Sequence, residues 1–177
     1  MKKIMLSLAV SFISLAGFSQ YRQPGSELSI GVDGALPVGN LKDVSNVGFG
    51  ATVKYAYNFD ESIAATLQSG YIYFPGKDLG DLKENMSQIP LKAGVRFSMG
   101  QFYAEPQLGM AFWHGSTKSG GESLGSGNTS GFTYAGNIGV MASPNFDIGL
   151  RYEGMSKDGA KLGFVGLRLA YTFPFGQ

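Results

Sequence analysis

The sequence predicts an all-β protein: an eight-stranded antiparallel up-and-down transmembrane β-barrel, preceded by a signal peptide. Three observations predict it. Between Glu27 and Phe173, eight stretches alternate apolar and polar residues one by one. The connections between them alternate long and short. Aromatic residues gather at the ends of the apolar faces. Successive side chains of a strand point to opposite faces, so the apolar set would meet lipid and the small, polar and charged set would face the lumen.

The first residues read as a secretory signal. Lys2 and Lys3 give a positive start, and Ile4 to Phe18 is a mostly apolar run with small residues toward its end. At about 15 residues it is short for a spanning helix. The expected domains are a signal peptide over 1–19, cut between Ser19 and Gln20, and a barrel over 20–177. The chain has no Cys, which excludes lipid anchoring at the junction and any disulfide. Losing Lys2 and Lys3 takes the formal charge from +1 to −1, which excludes a basic nucleic-acid surface. Gly, Lys, Glu and Asn interrupt every later hydrophobic run, so no helical span is expected there. The mean hydropathy of +0.01 fits a barrel, in which every second residue faces inward.

The first strand is expected from Glu27 to Leu36, with Leu28, Ile30, Val32 and Leu36 on one face and Ser29, Gly31, Asp33 and Ala35 on the other. The second sets Val47, Phe49, Ala51, Val53, Tyr55, Tyr57 and Phe59 against Gly48, Gly50, Thr52, Lys54, Ala56 and Asn58. The third pairs Ile63, Ala65, Leu67, Tyr71 and Tyr73 with Ala64, Thr66, Gln68 and Gly70. The fourth sets Ile89, Leu91, Ala93, Val95 and Phe97 against Lys92, Gly94, Arg96 and Ser98. In the fifth, Phe102, Ala104, Leu108, Met110 and Phe112 oppose Tyr103, Glu105, Gln107 and Gly109. The sixth alternates Phe132, Tyr134, Ile138 and Val140 with Thr133, Ala135, Asn137 and Gly139. The seventh alternates Phe146, Ile148, Leu150 and Tyr152 with Asp147, Gly149, Arg151 and Glu153. The eighth alternates Val165, Leu167, Leu169, Tyr171 and Phe173 with Gly166, Arg168, Ala170 and Thr172. Each run is about 10 residues, the length a tilted spanning strand needs.

The links around Asp60, Met99-Gly100 and Ser143-Pro144-Asn145 are tight; those across Pro37–Asn46, Phe74–Gln88, Trp113–Ser130 and Gly154–Leu162 are long. Short periplasmic turns and long extracellular loops are the usual arrangement, and an even strand number then leaves both termini in the periplasm. A two-residue loop at Met99-Gly100 would pair Phe97 with Phe102, Arg96 with Tyr103 and Gly94 with Glu105, each pair on one face. Outward Tyr57, Phe59, Phe97, Phe102, Phe146, Tyr171 and Phe173 would form one interfacial girdle. Tyr71, Tyr73, Phe112, Phe132, Tyr134 and Tyr152 would form the other.

Asp33, Lys54, Lys92, Arg96, Glu105, Asp147, Arg151, Glu153 and Arg168 are expected to point inward as a charge network. Eight strands leave an interior that side chains just fill, and buried ions must be paired. Glu105 would lie diagonal to Arg96 and Lys92. Asp33 could meet Lys54 or Arg168. One reading of this network is a structural plug; the other is a narrow, gated path for ions or small solutes.

The short motifs indicate no catalytic, cofactor or metal residues. Gly121-Glu122-Ser123-Leu124-Gly125 fits a nucleophile elbow, which requires a helix after it and a later His; the only His lies upstream, so a chance match in a flexible loop is expected. Lys77-Asp78-Leu79-Gly80-Asp81 lacks calcium-loop spacing. His114-Gly115-Ser116 resembles the His-x-Ser of outer-membrane lipid A deacylases, which are also eight-stranded barrels. That resemblance implies His114 as base and Ser116 as nucleophile, with Asn128 where the family has an acid.

The whole chain resembles the small outer-membrane β-barrel family of double-membraned bacteria, with its OmpA/OmpX-like and porin-like members. The likeness is carried by Leu36-Pro37-Val38-Gly39, Gly48-Phe49-Gly50, Gly70-Tyr71-Ile72-Tyr73-Phe74, Ile89 to Arg96, Tyr103 to Gly109 and Asp147 to Tyr152. It implies the outer membrane of a Gram-negative bacterium, with lipid and lipopolysaccharide around a monomer. It also implies periplasmic chaperones and the barrel-insertion machinery as assembly partners. That machinery reads a last strand such as Gly166, Leu169 and Tyr171, here followed by the atypical Pro174-Phe175-Gly176-Gln177. No domain is expected after the barrel. The family shares no single activity; the expected role is structural or surface-interacting, through extracellular loops whose ligand the sequence does not name.

Overall fold

The computed structural model describes residues 24–79, 82–119, 122–157 and 160–175. The expected signal peptide therefore lies outside the described residues. The strands are β1 (Gly25–Gly39), β2 (Gly48–Asn58), β3 (Ile63–Phe74), β4 (Leu82–Met99), β5 (Phe102–Ser119), β6 (Glu122–Ser143), β7 (Phe146–Lys157) and β8 (Ala160–Phe175). A two-residue stretch, Asp78–Leu79, extends the β3–β4 hairpin by pairing with Lys83 and Leu82. Each strand runs antiparallel to its neighbours in sequence, and β1 pairs with β8, so the sheet closes into an up-and-down barrel. Closure removes both sheet edges within the wall, as a spanning sheet requires.

Alternation decides which face is wet. In β2 every second residue from Gly48 to Asn58 except Gly50 is buried, while Phe49, Val53, Tyr55 and Tyr57 stand outside. The outer faces of the other strands are likewise apolar, from Ile30 and Val32 on β1 to Leu167 and Leu169 on β8. Aromatic rings ring both ends. Tyr57–Phe59 and Tyr171–Phe173 are in contact at the end carrying the tight turns, and Phe49–Tyr73 and Tyr134–Tyr152 at the other.

Three features differ from the sequence reading. First, β4, β5 and β6 have 18, 18 and 22 residues rather than about 10. The expected long loops across Phe74–Gln88, Trp113–Ser130 and Gly154–Leu162 are largely paired hairpins, with partners Phe74↔Met86, Trp113↔Thr129 and Met155↔Leu162. The Gly/Ser-rich run continues the ladder because Gly and Ser satisfy backbone pairing as well as larger residues do. The elbow-like segment from Glu122 accordingly begins a strand rather than a strand–turn–helix. Second, the β4–β5 turn pairs Met99 with Phe102 and Phe97 with Ala104, two residues from the expected register. The turn residues are Gly100 and Gln101, and Gly100 takes φ +62°, which favours glycine. A shift of two keeps every side chain on its face, and it sets Arg96 directly opposite Glu105. Third, the first long connection holds a helical turn, α1 (Leu41–Val44), whose Leu41 is fully buried. It is tied down by Ser45, whose hydroxyl donates to the Pro75 carbonyl at 2.6 Å, and by Lys77 N–H, which donates to the Val44 carbonyl at 2.9 Å.

Candidate functional site

Inside the barrel, the described residues bury five cations, Lys54, Lys92, Arg96, Arg151 and Arg168, and five anions, Glu27, Asp33, Glu105, Asp147 and Glu153. The interior is formally neutral. Nine of these are the residues singled out from the sequence. The tenth is Glu27, whose signal was its parity with Ser29, Gly31 and Asp33 on β1.

Glu105 on β5 is the centre of one group. Its Oε2 accepts from Lys54 Nζ at 2.9 Å and Arg96 Nε at 3.0 Å. Its Oε1 accepts from Thr66 at 3.0 Å and Gln107 at 2.6 Å. Arg96 Nη1 reaches across to Glu27 at 2.5 Å. A second group joins Lys92 and Gln88 to Glu153. Arg151 lies between Asp33 at 3.1 Å and Glu153 at 3.5 Å, as a charge contact without aligned hydrogen bonds. In a third group Asp147 accepts from Tyr103 Oη at 2.8 Å and Arg168 Nη1 at 3.2 Å. Thr52 links two groups, donating to Asp33 at 2.7 Å and accepting from Arg168 Nε at 2.9 Å.

Some expected pairings are replaced. Lys92 meets Glu153 rather than Glu105, and Asp33 meets Arg151 and Thr52 rather than Lys54 or Arg168. The physical reason is the narrow lumen. Long side chains cross it and choose partners from opposite walls, so Lys54 on β2 reaches Glu105 on β5.

Tyr103 is the hub of the packing. Arg96 and Lys54 lie 5.1 and 5.8 Å from its ring centre, within cation–π reach. Its phenol fits a notch made by Gly139 and Gly149, which face each other on β6 and β7. A Cβ on Gly139 would lie 2.4 Å from the Tyr103 hydroxyl, and one on Gly149 would lie 2.8 Å away.

Toward the hairpin end the lumen turns apolar. Leu41, Ile72, Phe74, Ala111, Trp113, Met155 and Phe164 pack into one buried cluster. Phe74 stacks on Trp113 at 5.5 Å and touches Phe164 at 5.6 Å, and Arg151 lies 5.2 Å from the Phe164 ring. Sequence reasoning missed this layer: it opens a long connection at Trp113, yet Trp113 is an inward residue of β5. Parity with Tyr103, Glu105 and Gln107 was the available signal.

On the outside of the wall, His114 Nδ1 and Asn128 Oδ1 are 2.6 Å apart, joining β5 to β6. An amide oxygen only accepts, so Nδ1 carries the hydrogen, and in the neutral ring Nε2 is then the acceptor. Among the described residues no hydrogen bond joins His114 to Ser116, and no cluster of three or more His, Cys, Asp or Glu forms a metal site.

Residues 5–173 match the family described as outer membrane protein beta-barrel domain. The attachment invasion locus protein Ail of Yersinia pestis is similar in structure, with a TM-score of 0.68 at 20% identity, covering 86% of this chain and 100% of that one. The N-terminal barrel of Pseudomonas aeruginosa OprF gives 0.60 at 14%, covering 85% and 100%. The Neisserial surface protein NspA gives 0.58 at 15%, covering 84% and 97%. No curated protein matches. At these identities the structural likeness speaks for the fold, and the family match over nearly the whole length, with an apolar belt outside and charges inside, makes the chain a member of the outer-membrane protein β-barrel family.

Proposed function

We propose that this barrel is a closed, non-catalytic anchor that carries a projecting β-hairpin sheet at the cell surface, where that sheet meets its partners. The filled interior is the observation that carries this reading: a neutral network of ten charged side chains beneath an apolar cluster. The tight turns and both termini face the periplasm, and the hairpins of β3–β4, β5–β6 and β7–β8 face outward. The protein acts as a monomer that needs no cofactor, with lipopolysaccharide around its outer rim, after delivery by periplasmic chaperones to the insertion machinery. Residues 1–19 serve as the removable signal.

Ail has been crystallised with the heparin analogue sucrose octasulfate. The present sequence gives little support for a polyanion partner. In the sequence of and around the long connections, Lys42, Lys77, Lys83, Lys118, Lys157 and Lys161 are matched in number by Asp43, Asp78, Asp81, Glu84, Glu122 and Asp158. A narrow pore finds no support in the packing. Deacylase-like hydrolysis draws on one observation, Asn128 in the orienting place beside His114, but Ser116 is not bonded to that imidazole.

Display is tested by thiol labelling of intact cells. Single cysteines at Ser119 and Lys157 should react with a membrane-impermeant reagent, and one at Gly100 should not. The reverse pattern would overturn the orientation.

A further inference from the structure

A cavity of about 450 Å³ indents the outer wall where β4, β5 and β6 leave the apolar belt. Two aligned rows of side chains form it. The lower row is Ile89, Phe112 and Ser130, and the upper row is Ser87, His114 and Asn128. Ile89 and Phe112 are half exposed on the lipid side. Two residues along a strand span about 7 Å. Within that distance the wall passes from hydrocarbon to hydroxyl, imidazole and amide. Among the described residues no Lys, Arg, Asp or Glu lines the cavity.

The polar row has a fixed hydrogen-bonding pattern. With Nδ1–H engaged by the Asn128 oxygen, His114 Nε2 can only accept while the ring is neutral. Asn128 Nδ2 is left to donate, and the hydroxyls of Ser87 and Ser130 can do either. A phosphate oxygen facing the Nε2 lone pair would be repelled, and among the described residues lining the cavity there is no cation to hold it. A sugar hydroxyl suits both sides, donating to Nε2 while accepting from the amide.

We propose that this cavity binds the hydroxyl- and amide-bearing sugar headgroup of an outer-leaflet glycolipid, with an acyl chain against Ile89 and Phe112. The gradient across the cavity matches the gradient within such a molecule. This rests on the barrel spanning the membrane with its hairpin end outward.

The chain's single His makes the test direct. Full-length protein with ¹⁵N-labelled histidine is placed in phosphatidylcholine nanodiscs containing rising amounts of lipid A. The Nε2 resonance should shift saturably. The same mole fraction of phosphatidylglycerol should leave it in place, and lipid A stripped of its phosphates should shift it as far as the intact lipid. Asn128→Leu and Ser87→Val, checked for folding by heat-dependent gel mobility, should each weaken the effect about tenfold, a loss of roughly 1.4 kcal/mol. No shift with lipid A would overturn the proposal. So would an equal shift with phosphatidylglycerol, loss of the shift on dephosphorylation, or release of fatty acid during the titration. A nanodisc presents both leaflets alike, so a wrong orientation in cells would leave this result unchanged, and the two failures are separable.

Discussion

Glu105→Ala removes the acceptor at the middle of the barrel. Its carboxylate takes four hydrogen bonds, two of them from the cations Lys54 and Arg96 at 2.9 and 3.0 Å. A hydrogen bond to a charged group contributes about 1.5–3 kcal/mol, and breaking a buried pair from one side costs about 3–5 kcal/mol. Arg96 keeps Glu27, whereas among the described residues Glu105 is the carboxylate in direct contact with Lys54, so most of the loss falls on Lys54. The expected destabilisation is therefore about 3–5 kcal/mol. Trp113, the only Trp, is packed in the lumen, so its fluorescence reports urea unfolding in detergent or lipid. Combining Glu105→Leu with Lys54→Met removes both charges and should recover about half of the loss or more, because apolar replacement of a buried pair is often neutral. A single-variant effect within about 0.5 kcal/mol of wild type, the range of an ordinary surface change, would show that Glu105 does not hold these cations in place.

Gly139→Ala should cost about 1–3 kcal/mol by overpacking, because the new methyl would lie 2.4 Å from both the hydroxyl and Cζ of Tyr103; Tyr103→Phe in the same background should relieve part of it. Trp113→Ala should cost about 3–5 kcal/mol in midpoint shifts of heat-dependent gel mobility, since it empties the stack on Phe74. Ser116→Ala should leave the lipid A profile of expressing cells identical to wild type by mass spectrometry, and a Ser116-dependent loss of an acyl chain would establish the hydrolytic reading instead.

The sequence was most legible where one period governs. Alternation fixed the face of each strand, because a period of two leaves only two choices and lipid selects one. It did not fix register at the β4–β5 turn, since a slip of two residues preserves every face; the position of Gly100 decided it. The nine interior charges could be placed inside, and Glu105 set beside Arg96, but the other partners could not be assigned. Partners such as Lys92 and Glu153 lie 61 residues apart on strands that are not neighbours, and lumen geometry selects them. Glu27 was missed at a strand start, where parity is read from few residues. Phe74, Trp113 and Phe164 were missed because an apolar inward residue breaks the polar-inside pattern and looks like the end of a strand.

The proposed anchor role requires a lumen closed by paired charges and an aromatic cluster. Single-channel recording of purified wild-type protein in planar bilayers tests it most directly. Insertion verified by heat-dependent gel mobility of the same preparation, with no steady conductance above the bare bilayer, is the expected result. Repeatable, stepwise ion currents from that preparation would contradict it.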